Sequence, residues 1–584
     1  MDIRILSNGF SNHERMLKER LEERIPVIFA DGEMTIELLV DNSIATPESY
    51  IIEETSENYW KISGSEEQGL YFGIGKFLHS AKWDADKFVP RGTNGVSSPD
   101  CSFRAIYVCN HLSNFYEKAP LDVLSRYLED LMLWGYNTIH GILPVVGYDS
   151  PEDEGFKKAT EHLRNVFKLG KKLGMKNSFA IVANQAFLGA PREYANDPSF
   201  DHRVCGNGGN NVCLSKPDAW KYMENVWHSL MESFLDIGLD YVLTWPYDEG
   251  GCGCEGCRTW GNNMFCTSSK AIHEMAKEMY PDVKSILSTW CFDAPEDRGE
   301  YAGLYERLQG DMNYLDYLMV DSHNNYPAYV LEHELIKPVV NFPEVSMWGL
   351  YPWGGFGANP LLERFERIWN MSKQVLKGGA PYSEGVYEDI SKVQFAGYYW
   401  DKEATYKDII REYVSYEFDE SVYDDVLEMM LLIEKNHAGI TRRITPLPET
   451  YIRAKELAEK INSSLSERAK KCWRWRILYI RAILDYKRYS KFFSTEHADP
   501  EELLEVQLWS ANMLVDDKES QELFQELFDL YYAVPFNERN AWTLPPVGGT
   551  KFSKQSPFRK YCMDSSNPDF NPLEDKVTSF EAIL

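Results

Sequence analysis

The segment TWPYDEGG, residues 244 to 251, sets two carboxylates side by side, Asp248 and Glu249, after an apolar run and ahead of two glycines. Like charges held close raise at least one pKa, so one carboxyl can stay protonated as a general acid. The other, ionised, can orient a substrate group or stabilise a cationic transition state. Side chains alternate along a strand, and a turn at Glu249-Gly250-Gly251 can re-aim the second acid toward the first. A plainer use of the same residues is a capping Asp and a solvated Glu. Placement at the end of a buried strand favours the chemical one.

Directly behind the pair, GCGCEGCRTWG carries Cys252, Cys254 and Cys257 in C-x-C-x2-C spacing. Three thiolates on one short loop can reach a single zinc ion, and a fourth would complete a tetrahedron. Cys205 and Cys213 precede this strand, and Cys266 follows the loop. No His lies near the cluster, which favours a structural zinc over a catalytic one, with a zinc-dependent hydrolase as the remaining alternative. The other reading is three reduced thiols packed in a Gly-rich loop. No further cofactor is expected.

These groups need a scaffold that delivers strand ends to one place. From Phe103 the chain alternates strand-like and helix-like runs: FRAIYVCN, NTIHGILP, NSFAIVAN, DYVLTWPYDEGG, KSILSTWCFD, DYLMVDSH, EVSMWGLYP and GAPYSEGVY, with amphipathic helices between them. Eight such units over about 300 residues predict a (β/α)8 barrel. No Gly-rich phosphate fingerprint supports an open doubly wound sheet instead. Residues 1–98 predict a small N-terminal α/β domain, 99–402 the barrel, and 403–584 a helical C-terminal domain with an irregular tail.

In such a barrel the chemistry sits where strands run out at their C-terminal ends. The residues there are Asn110 and His111, Asn184, Asp248 and Glu249, Trp290 and Asp293, Asp321 and His323, Trp348 and Trp353, and Glu384. Aromatic faces beside hydrogen-bonding carboxylates suit a sugar ring, whose C–H faces stack while its hydroxyls pair with acids and amides.

Three stretches resemble the β-N-acetylhexosaminidases and their glycoside-hydrolase relatives, including the α-glucuronidases. ESYIIEETSENYWKISGSEEQGLYFGIGKFLHS is similar to the end of their N-terminal α/β domain. DYVLTWPYDEGG is similar to the strand that ends in their Asp-Glu pair, and GGAPYSEGVYEDISKVQFAGYYWD to their last barrel strand and its helix. The resemblance implies that Asp248 orients a 2-acetamido group acting as nucleophile and that Glu249 is the acid/base. It also implies that Glu384 holds sugar hydroxyls and that Arg104 binds substrate. Thr-Trp-Pro-Tyr stands where hexosaminidases have His-x-Gly-Gly, which leaves an inverting exo-glycosidase on another sugar, such as a uronic acid, as the alternative. A non-catalytic sugar-binding barrel is a third reading.

Composition sets the outer bounds. The 584 residues hold 61 Lys plus Arg against 90 Asp plus Glu, a net charge of −29, which argues against nucleic-acid or anionic-membrane partners. Hydrophobic residues at 44% and charged residues at 26% are those of a folded soluble chain. The start, MDIRILSNGF, lacks a signal-peptide pattern, and 11 clustered cysteines suit a reducing compartment, so a cytoplasmic location is expected. The expected partner is an oligosaccharide or glycoside substrate, with a homodimer as an open option.

Overall fold

The structure, a computed structural model, describes residues 1–83, 87–108, 114–197, 210–247, 250–293, 297–322, 326–346, 353, 357–437, 448–490 and 517–529. The N-terminal part is a five-stranded sheet of order β2-β1-β3-β5-β4, formed by β1 (Asp2–Leu6), β2 (Ile28–Phe29), β3 (Met34–Val40), β4 (Tyr50–Ser56) and β5 (Tyr59–Gly64). Two helices pack with it, α1 (Ser11–Glu22) and α2 (Glu67–His79). The charges of SNHERMLKERLE hide α1 in the sequence. Yet His13, Met16, Leu17, Arg20 and Leu21 are buried at helical spacing along one face. A short hairpin, β6 (Lys82–Trp83) with β7 (Phe88–Val89), follows.

Eight parallel strands then close a (β/α)8 barrel. They begin with β8 (Phe103–Val108), β9 (Thr138–Ile142) and β10 (Lys176–Val182). After β10 a small hairpin is inserted, β11 (Gln185–Ala186) with β12 (Asn210–Asn211). The barrel continues with β13 (Tyr241–Trp245), β14 (Lys284–Ser288), β15 (Tyr317–Asp321), β16 (Val339–Phe342) and β17 (Leu376–Gly379). The intervening helices are α3 (Phe115–Lys118), α4 (Leu121–Leu133), α5 (Glu154–Lys172), α6 (Pro217–Glu232), α7 (Met264–Met279), α8 (Glu300–Leu308), α9 (Ala328–Glu332), α10 (Leu362–Ser372) and α11 (Asp389–Trp400).

Two expected strands are displaced. The seventh is VVNF at 339–342, not EVSMWGLYP, and the eighth is LKGG at 376–379, with most of GAPYSEGVY beyond it. LKGG is a poor strand sequence, and the reason is contact rather than propensity. β17 closes the ring against β8, and a Cβ on Gly378, whose φ is +120°, would overlap the Phe103 carbonyl. A Cβ on Gly379 would overlap Asn341. Only glycine lets the last strand approach that closely.

Ring contacts across the lumen show which residues point inward. Phe103 of β8 meets Tyr241 of β13 at 5.1 Å and lies 6.4 Å from Tyr317 of β15, and these strands are not neighbours in the barrel. These three rings plug the end where strands begin. Strand alternation then sends Tyr107, Trp245 and Asp321 inward at the other end.

Beyond the barrel lie α12 (Tyr406–Glu417), α13 (Tyr423–Asn436), α14 (Pro448–Ser464), α15 (Glu467–Lys471), α16 (Trp473–Ser490) and α17 (Lys518–Asp529). Of the expected helical domain, residues 491–516 lie outside the described residues, as does the tail from 530. Asp130 on α4 joins three parts of the chain, accepting from Arg20 of α1 at 2.8 Å and from Arg474 of α16 at 3.2 Å. Arg474 also pairs with buried Asp389 of α11 at 2.8 Å, and Tyr413 donates to the same carboxylate at 2.9 Å. No helix among the described residues is long and apolar enough to cross a membrane.

Candidate functional site

The mouth at the C-terminal ends of the strands is lined by rings. Tyr107 lies 4.9 Å from Tyr382 and 5.6 Å from Phe342, and Phe342 lies 5.0 Å from Trp245. Trp245 stacks on Trp290 at 5.5 Å with an interplanar angle of 27°. These five rings come from strands one, four, five, seven and eight or the turns after them, so they form one contiguous aromatic surface. Trp245 and Trp290 remain partly exposed while the other three are buried. Of the five, only Trp290 follows from reading strand ends alone. Tyr107 and Trp245 emerge from strand parity once Phe103 and Tyr241 are known to face the lumen, Phe342 from its pairing with Asp321, and Tyr382 only from the turn after β17.

Carboxylates stand beside this wall. Asp321 ends β15 on its inward face and is partly exposed. Glu384, buried, accepts a hydrogen bond from the Tyr382 hydroxyl at 3.0 Å. Next to it lies a buried polar group. Lys392 donates to Ser383 Oγ at 2.9 Å, to Tyr116 Oη at 3.0 Å and to the Gly385 carbonyl, and Ser346 and Ser383 both donate to Glu388. Burial pulls the Lys392 ammonium down to about 8, against the opposing pull of Glu388 and Asp389. His140, beside Tyr107, bonds Ser178 Oγ at 2.8 Å, and burial holds it neutral by lowering its pKa to about 3.

Asp248 and Glu249 lie outside the described residues, but their neighbours in the chain are fixed on both sides. Before them, the Pro246 carbonyl accepts from Trp260 Nε1 at 2.7 Å, and the Tyr247 hydroxyl donates to buried Glu300. After them, a Cβ on Gly250 would sit 2.7 Å from the Pro246 carbonyl, and Gly251 has φ +116°. Both positions therefore require glycine. Gly251 is gripped by Asn184 and by Asn196, whose Nδ2 donates to its carbonyl at 2.8 Å. The loop next draws Cys252, Cys254 and Cys257 together, and Cys213 joins them from the segment after β12.

Several expected ligands have other occupations. Arg104 is the second residue of β8, at the opposite end of the barrel from the mouth, and is fully buried. Its guanidinium pairs with Glu48 of the N-terminal domain at 2.8 Å and donates to the Gly135 and Cys101 carbonyls. It welds two domains and cannot reach a substrate at the mouth. Trp353 is also buried, donating from Nε1 to Asp485 of α16 at 2.8 Å, so it anchors the helical domain instead of offering a stacking face. Asn184 spends its amide on Val212 and Gly251. Asp293 accepts from the backbone of Arg298, Glu300 and Tyr301, meeting donors at the start of α8. Asn110, His111, His323 and Trp348 fall outside the described residues.

No protein-family model matches the chain, and no curated protein does. Solved structures share its architecture. One is a family 89 glycoside hydrolase from Clostridium perfringens in complex with its substrate GlcNAc-α-1,4-galactose, with TM-score 0.59 and 11% identity over 89% of this chain and 65% of that one. A second is a family GH115 4-O-methyl-α-glucuronidase with specificity for decorated arabinogalactans, with TM-score 0.54 and 12% identity over 99% and 79%. A third is a GH138 enzyme targeting pectin rhamnogalacturonan II, with TM-score 0.54 and 11% identity over 91% of each chain. At such identities the fold is what is shared.

Proposed function

We propose that the protein is a glycoside hydrolase that removes a terminal N-acetylated hexosamine from an oligosaccharide or glycoside. The observation that carries this reading is the aromatic mouth, Tyr107, Trp245, Trp290, Phe342 and Tyr382, with Asp321 and Glu384 beside it. A sugar ring needs that pairing of apolar faces with carboxylates. In this reading Glu249 gives its proton to the glycosidic oxygen as the bond to the anomeric carbon breaks. Asp248 orients the substrate's acetamido group, whose carbonyl oxygen bonds to that carbon in place of the leaving group. Water, giving a proton to Glu249, then attacks the anomeric carbon and breaks its bond to the acetamido oxygen, which restores the acetamido group and the protonated acid.

An inverting reaction is the second reading, with Glu249 as the acid and Asp321 or Glu384 activating water. Inverting pairs stand about 6.5–9.5 Å apart, leaving room for that water.

A panel of aryl glycosides of N-acetylhexosamines, neutral hexoses and uronic acids tests the proposal. Chromophore release from an N-acetylhexosaminide is expected, with Glu249→Gln lowering turnover by about 10²–10⁴-fold, the span of general acid–base catalysis. Release only from uronides would overturn the substrate. No release from any glycoside, together with a rise in melting temperature on adding sugar, would make the protein a binder.

A further inference from the structure

We propose that Cys213, Cys252, Cys254 and Cys257 hold a single structural zinc ion that pins the loop after the fourth barrel strand. Their four sulfur atoms lie within 4.8 Å of one another. Cys213 Sγ stands 3.5 Å from Cys254 Sγ and 3.9 Å from Cys257 Sγ. Zinc–sulfur bonds of about 2.3 Å in a tetrahedron place sulfurs about 3.8 Å apart, between those two distances. The same distances are far beyond an S–S bond of about 2.05 Å, and all four cysteines are free thiols.

The surroundings are built for thiolates. Cys213, Cys252 and Cys257 are buried and Cys254 is partly exposed, which leaves an entry path. The Asp197 backbone N–H donates to Cys252 Sγ at 3.4 Å. Ser215 Oγ lies 3.0 Å from Cys213 Sγ and 3.4 Å from Cys254 Sγ, close enough to donate to either. Such donors orient and stabilise metal-bound sulfur. A Cβ on Gly256 would sit 2.7 Å from Ser215 Cβ, so glycine is what lets the two cysteine-bearing segments meet. An all-sulfur tetrahedral set selects zinc over hard cations such as magnesium or calcium. Binding would release the thiol protons to solvent with no change of oxidation state.

The consequence is mechanical. The zinc would tie Cys252, three residues after Glu249, to a segment that leads into α6. That role holds whether or not the mouth hydrolyses sugars.

Metal analysis of the full chain, purified without chelator, is expected to give about one zinc per chain. Exchange into cobalt(II) should give the intense charge-transfer and visible bands of a tetrahedral tetrathiolate. Cys213→Ser should lose most of the metal and melt at lower temperature, while Cys472→Ser, in the helical region and outside the four-thiol group, should keep the metal. If Cys213→Ser does not fold, Cys254→Ser, at the partly exposed position, replaces it in the same assay. The proposal fails if reduced wild-type protein takes up neither zinc nor cobalt, if iron is the metal retained, if Cys472→Ser loses the metal, or if the ligand variants keep the metal with an unchanged cobalt spectrum.

Discussion

Asn184 holds the Gly251 peptide from both sides, its Oδ1 accepting from Gly251 N at 2.8 Å and its Nδ2 donating to Gly251 O at 2.9 Å. A side-chain amide thus stands in for a strand partner at the point where the loop leaves Glu249. Asn184 follows β10, so the third barrel strand sets the position of a loop that belongs to the fourth.

Asn184→Ala should leave the Gly251 N–H without its partner and cost about 1–3 kcal/mol of stability. Asn184→Asp should be worse, because its second oxygen would face the Gly251 carbonyl. Urea denaturation measures both. An unchanged midpoint in either variant would show that the amide pair does not hold the loop.

Trp290 is the partly exposed face of the ring wall, stacked on Trp245 at 5.5 Å. Trp290→Ala should fold normally and lose a stacking contact of about 0.5–1.5 kcal/mol, raising KM by up to about tenfold with little change in kcat. Steady-state kinetics on the preferred aryl glycoside reads the split. A fall in kcat at constant KM would assign Trp290 a part in the chemical step.

Arg474 meets Asp389, Asp130 and Glu417 where the helical domain packs on the barrel. Arg474→Met should cost about 3–5 kcal/mol, because Asp389 is left buried without its cation. Acid should act in the same direction. Burial alone would push Asp130 upward, but Arg20 and Arg474 outweigh it and hold its carboxyl below the usual range. Its contribution is therefore present above the unfolded pKa and lost as pH falls through the folded one. Thermal melts of wild type and variant between neutral and acid pH test this, and parallel curves would count against it.

Glu434 on α13 accepts from the backbone of Glu363 at 3.0 Å and Arg364 at 2.8 Å, meeting donors at the start of α10. Burial raises its pKa to about 7, against those two hydrogen bonds. The folded state therefore keeps the proton where the unfolded chain has lost it. Stability from this group is complete below about pH 4.3 and declines by roughly 3 kcal/mol as pH rises to about 7. Glu434→Gln should remove that decline, while its amide NH2, set against one of the two backbone donors, lowers stability at every pH. Denaturation midpoints across this range decide it, and an equal slope in both proteins would refute the assignment.

Local pattern alone carried the barrel a long way. Apolar runs alternating with amphipathic helices specify eight β/α units whatever the loops do, because each strand must bury both faces and each helix one. The C-x-C-x2-C spacing likewise placed three thiols on one loop. What sequence could not supply was anything set by contact between distant segments. FRAIYVCNH sets Arg104 at the start of its strand but gives no sign of its partner, which only the fold supplies by bringing Glu48 from another domain. Trp353 looks like a rim platform until Asp485 takes its indole N–H. LKGG looks like a turn until the closing strand needs to pass Phe103 and Asn341 without side chains. Cys213 is 41 residues from Cys254, a separation that no spacing rule links, and the fold brings their sulfurs to 3.5 Å. Short-range periodicity fixes which elements form, because burial and backbone pairing act locally. Which residues meet at the mouth, at the seams between domains and around the thiols depends on how the closed barrel folds remote segments together.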